Sequence, residues 1–194
     1  MQILVLGQYI ASLCDDNVLR MWNIKSGGNY KNSRWSMDHQ QPYLVIEPTK
    51  RFTHHNLHTH THNIELYTDI EFGETFTATT MIHPSTYLNK LLIGSTQGTM
   101  QIWNVRVSKM IYQFPSFGSA VTCLEQSPVV DVVAVGLLNG SVILHNIKMN
   151  EKIDAVHQDD RVTSISFRTG KKKNQCIISV NKMDIYMEKK CKVR

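Results

Sequence analysis

Apolar residues recur along this chain in short runs of alternating polarity, separated by polar breaks rich in Gly, Asn and Asp. The clearest stretch runs from His83 to Pro115. Leu91, Leu92 and Ile93 form one apolar run, and Ser95, Thr96, Gln97, Gly98 and Thr99 form a polar break. After the break, Met100, Ile102 and Asn104 point opposite to Gln101, Trp103 and Val105. β-Branched and aromatic residues at period two, interrupted by a Gly-containing turn, predict a hairpin. A third run, Met110 to Phe114, follows and closes on Pro115, so the whole stretch predicts an antiparallel meander. One such sheet cannot bury both of its faces alone and needs neighbours.

The chain supplies them by repetition. The segment Met100 to Val105 aligns with Leu19 to Ile24 and with Val142 to Ile147, and each carries a ring followed by Asn and then Ile or Val. The rings are Trp22, Trp103 and His145. From Trp103 to His145 the step is 42 residues, from Trp22 to Trp103 it is 81, and Tyr186 lies 41 beyond His145. A turn precedes each ring: Asp15-Asp16-Asn17, Gln97-Gly98-Thr99 and Asn139-Gly140-Ser141. A period near 40 with a ring at the end of the third strand is the pattern of a WD-type β-propeller, in which each repeat is one four-stranded blade. The expected fold is therefore all-β, a partial WD40-type propeller of about four antiparallel blades with an irregular insertion.

Residues 1–24 read as a partial blade. In many WD blades a turn Asp, a strand Ser or Thr and the Trp share hydrogen bonds, and Ser12, Asp15 or Asp16, and Trp22 are the candidates here. The other copies lack that Asp, so Gly98 and the Asn139-Gly140 pair are expected to supply the positive φ angles their turns need. Residues 25–63 break the rhythm and read as an inserted loop, expected to be disordered. His62 stands 40 residues after Trp22 and 41 before Trp103, which would suit another blade end, but no convincing strands precede it. Residues 64–194 read as further blades, the last incomplete. Strands are expected at Ile64 to Ile70, at Phe72 to Met81 with Phe76, Ala78 and Thr80 alternating, and at Asp131 to Val135 as a strand buried on both faces.

Composition adds bounds. The chain has 194 residues, 42% hydrophobic and 19% charged, ordinary values for a soluble globular protein. A closed propeller needs roughly four to eight blades, and 194 residues hold only four and a fraction, which predicts a fragment or short isoform of a longer protein. The net charge of +5 is uneven: residues 1–160 hold 11 Lys or Arg and 14 Asp or Glu, whereas residues 161–194 hold 10 and 2. Lys171, Lys172 and Lys173 are the candidate phosphate contacts in that basic end, with a solvated loop as the plainer reading. Cys14, Cys123, Cys176 and Cys191 show no paired spacing, which fits free thiols in a reducing compartment. The N-terminus lacks the basic region of a signal peptide, and no stretch approaches the ~20 apolar residues of a membrane span.

Catalytic motifs are absent: there is no GxSxG, GxxxxGK[ST], GxGxxG or HExxH. Gly94 to Gly98 is Gly-rich but lacks a P-loop Lys and reads as a hairpin turn. His58, His60 and His62 alternate with Thr, so an extended chain would place three imidazoles on one face, as Zn²⁺ accepts. No carboxylate or Cys completes such a site, and a solvated His-Thr loop is the stronger reading. Asn139-Gly140-Ser141 matches a glycosylation sequon but reads as a structural turn. Neither an enzyme, a cofactor, a metal site, a small-molecule substrate nor a membrane role is expected.

A narrower resemblance rests on HPSTYLNKLLIGSTQGTMQIWNV, PVVDVVAVGLLNGSVILHNIK and VTSISFRTG. These segments closely resemble the family of WD-repeat-containing protein 36, a UTP-B subunit of the small-subunit processome, well over residues 64–170 and loosely over 1–24. The resemblance implies a nucleolar, non-catalytic scaffold in the U3 small nucleolar RNA complex, supporting processing toward 18S ribosomal RNA. Its implied partners are protein subunits of the UTP-B type, with contact to U3 RNA and pre-rRNA indirect. Against the family pattern, residues 25–63 look inserted and residues 174–194 drift from the expected hairpin. A generic WD adaptor in another assembly is the alternative, because fold alone does not fix function.

Overall fold

The computed structural model describes residues 1–7, 9–26, 62–169, 176–180 and 183–187. Every regular element in it is a strand, grouped in antiparallel sheets. The first sheet has the order β1 (Gln2–Leu6), β2 (Tyr9–Leu13), β3 (Val18–Ser26) and β4 (His62–Glu71). The second joins β5 (Ala78–Ile82), β6 (Lys90–Ser95), β7 (Met100–Asn104) and β8 (Lys109–Gln113). The third joins β9 (Val121–Gln126), β10 (Val132–Leu137), β11 (Ser141–Asn146) and β12 (Glu151–His157). A fourth sheet contains β13 (Ile165–Thr169), β14 (Cys176–Val180) and β15 (Met183–Met187). In every sheet the strands run in chain order, each antiparallel to the last.

The sheets pack through their leading strands, with β5 against β1, β9 against β5 and β13 against β9. Leading strands clustered on one side and last strands outside make these sheets propeller blades. The core follows from that arrangement, because each pair of neighbouring blades encloses its own apolar layer. Leu19, Met21, Ile70 and Phe72 meet Met81, Leu91 and Ile93 between blades one and two. Leu92, Met100 and Phe114 meet Val121, Val133 and Val135 between blades two and three, and Ala134 and Val142 meet Val162 and Ile165 next. The second strands face neighbours on both sides, and all six residues of β10 are buried. The last strands are the opposite, and all five residues of β8 are exposed.

Several expectations shift at their edges. The stretch read as an insertion over 25–63 is bordered by strand on both sides, since β3 continues through Ser26 and β4 begins at His62. Residues 62–71, of which 62 and 63 fall in the expected insertion and 64–71 in the expected later blades, are the fourth strand of the first sheet, with Val18 opposite Glu71 and Ser26 opposite His62. That pairing explains the step of 81 residues: one blade carries the extra length between its third and fourth strands. His62 accordingly opens an outer strand and does not close a third one. Phe72 and Phe76, expected in a strand, flank a turn closed by the Phe76 N–H donating to the Gly73 carbonyl (2.9 Å). Gly94, read as part of a turn, lies inside β6. Most of the His-Thr run, including His58 and His60, and Lys171 to Lys173 lie outside the described residues.

Candidate protein-interaction surface

The three rings singled out from sequence occupy the same place in successive blades, directly after the register shift of the third strand against the fourth, but each is held differently. In blade one the Trp22 Nε1–H donates to Ser12 Oγ across the β2–β3 ladder at 2.8 Å. Neither Asp joins that bond. Asp16 accepts from the Val18 N–H (3.2 Å) and pairs with Arg20 (2.6 Å), whose hydrogen bond lowers the carboxyl's pKa. Asp15 stands 3.6 Å from the N-terminal ammonium. In blade two the Trp103 Nε1–H donates to Gln101 Oε1 (2.8 Å), and Gln101 Nε2 donates on to Gln113 Oε1 (2.9 Å), tying the third strand to the fourth.

In blade three His145 is only 4% exposed and neither ring nitrogen has a hydrogen-bond partner. Phe114 and Phe117 meet it edge-on at 5.4 and 5.3 Å. Burial pushes its pKa down, against a smaller opposing pull from Asn150. The imidazole thus fills the space between the blades through its ring edges and faces, and its unpaired nitrogens are a cost of that packing. Trp103 has the matching contact, edge-on to Phe72 at 5.5 Å. Phe72 and Phe114 each stand directly after the last strand of the preceding blade, so each ring docks on the blade before it.

The turns before those strands also align. Their left-handed residues are Asn17 (φ 60°), Gly98 (φ 76°) and Gly140 (φ 85°). Asn is the non-Gly residue best suited to that region. Of the Asn139-Gly140 pair, Gly140 alone has positive φ; Asn139 contributes its side chain, whose Oδ1 accepts from the Ser141 N–H at 3.1 Å. Each left-handed residue's carbonyl receives a backbone N–H from the segment leading to the next blade: Phe72 on Asn17 (3.3 Å), Phe117 on Gly98 (2.9 Å) and Gln158 on Gly140 (3.1 Å). A Cβ on Gly98 would stand 2.5 Å from the Ser119 carbonyl oxygen. The turns therefore clamp one blade to the next.

Sequence reasoning missed a second pair of glycines, Gly94 in β6 and Gly136 in β10. A Cβ on Gly94 would lie 2.5 Å from Val121 Cγ1, and one on Gly136 would lie 2.5 Å from Cys123 Sγ and 2.6 Å from Val162 Cγ1. At Gly94 the following blade's leading strand presses in, whereas at Gly136 the pressure comes from Cys123 of the same blade's leading strand and from Val162, just before the next blade's first strand. A Gly inside an otherwise apolar strand run is the signal that could have found them. Cys14 and Cys123 are free thiols, and burial raises the pKa of Cys123. Among the described residues no three His, Cys, Asp or Glu side chains group as metal ligands. No helix in them is long and apolar enough to cross a membrane. The surface instead offers outer strands with exposed apolar residues, Met110, Ile111 and Tyr112 in β8 and Ile153 in β12, and rim turns carrying Val107, Leu138 and Met149.

Blades in series, locked by third-strand rings and left-handed turns, define a WD-type β-propeller protein that presents edges and rims. The family model described as the WDR36/Utp21 first beta-propeller matches residues 49–187. The chain belongs to that family. WD repeat-containing protein 36 of Homo sapiens is 50% identical over 112 residues, 57% of this chain. The U3 small nucleolar RNA-associated protein 21 homolog of Schizosaccharomyces pombe is 44% identical over 106 residues, and its Saccharomyces cerevisiae namesake is 34% identical over 103. The aligned part spans only 12%, 12% and 10% of these relatives' lengths. Among solved structures, the computationally designed Ika8 and Ika4 proteins superpose with TM-scores of 0.59 and 0.58 over 95% of this chain, covering 45% and 89% of their own. Their 15% identity shows a shared fold and nothing of function.

Proposed function

We propose that this chain is a non-catalytic scaffold segment of the small-subunit processome, acting in U3-dependent processing of pre-rRNA toward 18S rRNA. The observation that carries the reading is the family match over residues 49–187, joined to relatives whose names associate them with U3 small nucleolar RNA. On this reading its outer strands and rims dock protein subunits of the UTP-B type in the nucleolus, and contact with U3 RNA is indirect. Trp22, Trp103, His145, Gly98, Asn139 and Gly140 have the structural task of holding the blades in register. On this reading β1 to β4 form the first blade, with the inserted residues between its third and fourth strands, and the chain from residue 72 on supplies the remaining blades. Lys171, Lys172 and Lys173 would add phosphate contacts. Recovery of U3 RNA with the tagged chain from nuclear extract tests the reading. Enrichment over an unrelated WD protein is expected, and recovery equal to that control, with the chain soluble, would overturn it.

A further inference from the structure

The interface between blades one and two is built differently from that between blades two and three. The first-to-second-strand connection is residues 7–8 in blade one but residues 83–89 in blade two. Asn89 and Asp131 hold the same place at the two interfaces. Each has positive φ (56° and 63°) directly before its second strand. Each carbonyl accepts a backbone N–H from the residue after the third strand, Val105 at 3.0 Å and Ile147 at 2.8 Å.

At the second interface the long connection fills the space beside Asp131. Its Tyr87 packs on the shared apolar layer, and Ser85 N–H donates to Gln126 Oε1 of blade three at 3.2 Å. Burial, then the neighbouring Asp131 carboxylate, pushes the Tyr87 phenol up to about 12. The connection at Gly7 and Gln8 is too short to lay an equivalent loop over the first interface. There the structure has a cleft beside Asn89. Two adjoining hollows of about 260 and 390 Å³ share Tyr9, Met21, Asn89 and Val105. Tyr67, tilted against Tyr9 at 5.6 Å, and Arg106 line one, and the exposed Leu88 lines the other.

Charge narrows the occupant. Residues 75–124 contain no Asp or Glu, yet they include His83, Lys90, Arg106 and Lys109. Arg106 makes no ion pair among the described residues, whose two salt bridges lie at Asp15 and Asp16. An aromatic-walled cleft with an uncompensated guanidinium favours a segment that brings both a ring and a carboxylate. We propose that the cleft between blades one and two receives an extended segment of a partner protein, which presents a tyrosine to Asn89 and a carboxylate to Arg106, as Tyr87 meets Asp131 one interface further on.

This inference stands apart from the assembly proposed above and has its own test. The probe is a fluorescein-labelled HPSTYLN peptide, copied from the loop that fills the second interface, with two aspartates added at either end. Titrated with the full chain, it should give saturable anisotropy. Arg106→Glu should weaken binding about tenfold or more, as should Ala for Tyr in the peptide, whereas Lys109→Glu, outside the cleft, should change it less than about twofold. A benzophenone in place of the peptide's tyrosine ring should cross-link to Tyr9, Tyr67 or Leu88. Circular dichroism confirms that the variants fold, as the exposure of Arg106 leads one to expect. Absence of saturable binding, binding indifferent to Arg106→Glu, or cross-links confined to β8 would overturn the proposal. So would an oligouridine dodecamer that displaces the peptide and shares its dependence on Arg106, since the cleft would then be a nucleic-acid site.

Discussion

Replacing Gly140 by Ala should damage this protein far more than the same change at Gly118. Both glycines are left-handed, with φ of 85° and 80°, so Ala at either pays the left-handed cost of roughly 1–2 kcal/mol. Gly118 has open space where a Cβ would go. At Gly140 the Cβ runs into the Gln158 carbonyl oxygen and stands 2.8 Å from that of Asp160. Both obstacles are backbone, so relief requires moving the segment that enters the next blade. That movement breaks the bond from the Gln158 N–H to the Gly140 carbonyl, worth about 1 kcal/mol. Overpacking adds about 1–3 kcal/mol. The total for Gly140→Ala is roughly 3–6 kcal/mol, against about 1–2 for Gly118→Ala. For a chain of this size each kcal/mol lowers Tm by roughly 2–4 °C. Urea midpoints and thermal melts of the two variants, measured side by side, give the comparison. A Gly140→Ala variant within about 1 kcal/mol of Gly118→Ala would refute the inter-blade clamp.

Ser12→Ala should cost about 1–3 kcal/mol by leaving the Trp22 Nε1–H without its acceptor, and Ser12→Thr should retain most of the stability; urea midpoints decide. Gly136→Ala should destabilise by about 1–3 kcal/mol through collision with Cys123 Sγ and Val162 Cγ1. Cys123→Ala in the same chain should recover part of that loss, and a purely additive double mutant would contradict the predicted contact. His145 is held neutral by burial, so its folded pKa lies below the ordinary 6.5. The unfolded chain then binds the extra proton first, and the stability due to the neutral ring is complete above about pH 6.5 and lost as pH falls toward the folded value. Urea midpoints between pH 7.5 and 5.5 should fall for the native chain and fall less for His145→Phe; equal slopes would count against a buried His145 ring between Phe114 and Phe117.

What was legible in the sequence was the part that repeats. The ring in the third strand and the turn before it recur at a near-constant step, and apolar runs marked β6 and β10 while alternation marked β7 and β11, because both ends of each ladder lie close in the chain. The place of β4 was hidden, since its partner β3 ends at Ser26 and no local pattern announces pairing across the gap to His62. Phe72 and Phe114 looked like ordinary strand residues, because their role is to receive a ring from the next blade and that contact exists only once blades stack. The Ser12–Trp22 bond was anticipated, but the acidic turn residues found nearer partners in Arg20, the Val18 N–H and the N-terminus. The cleft at Asn89 could not be read at all. It arises from comparing connection lengths at two equivalent interfaces, which requires knowing that the interfaces are equivalent.

On the scaffold reading proposed above, the blades are held in the assembly by protein surfaces, and phosphate contacts from Lys171 to Lys173 are secondary. Capture of the tagged chain from nuclear extract, before and after thorough nuclease digestion, tests it most directly. The same set of protein subunits should stay bound after digestion while U3 RNA is lost. Release of those proteins together with the RNA would show that nucleic acid holds the chain in place, and would contradict the scaffold reading.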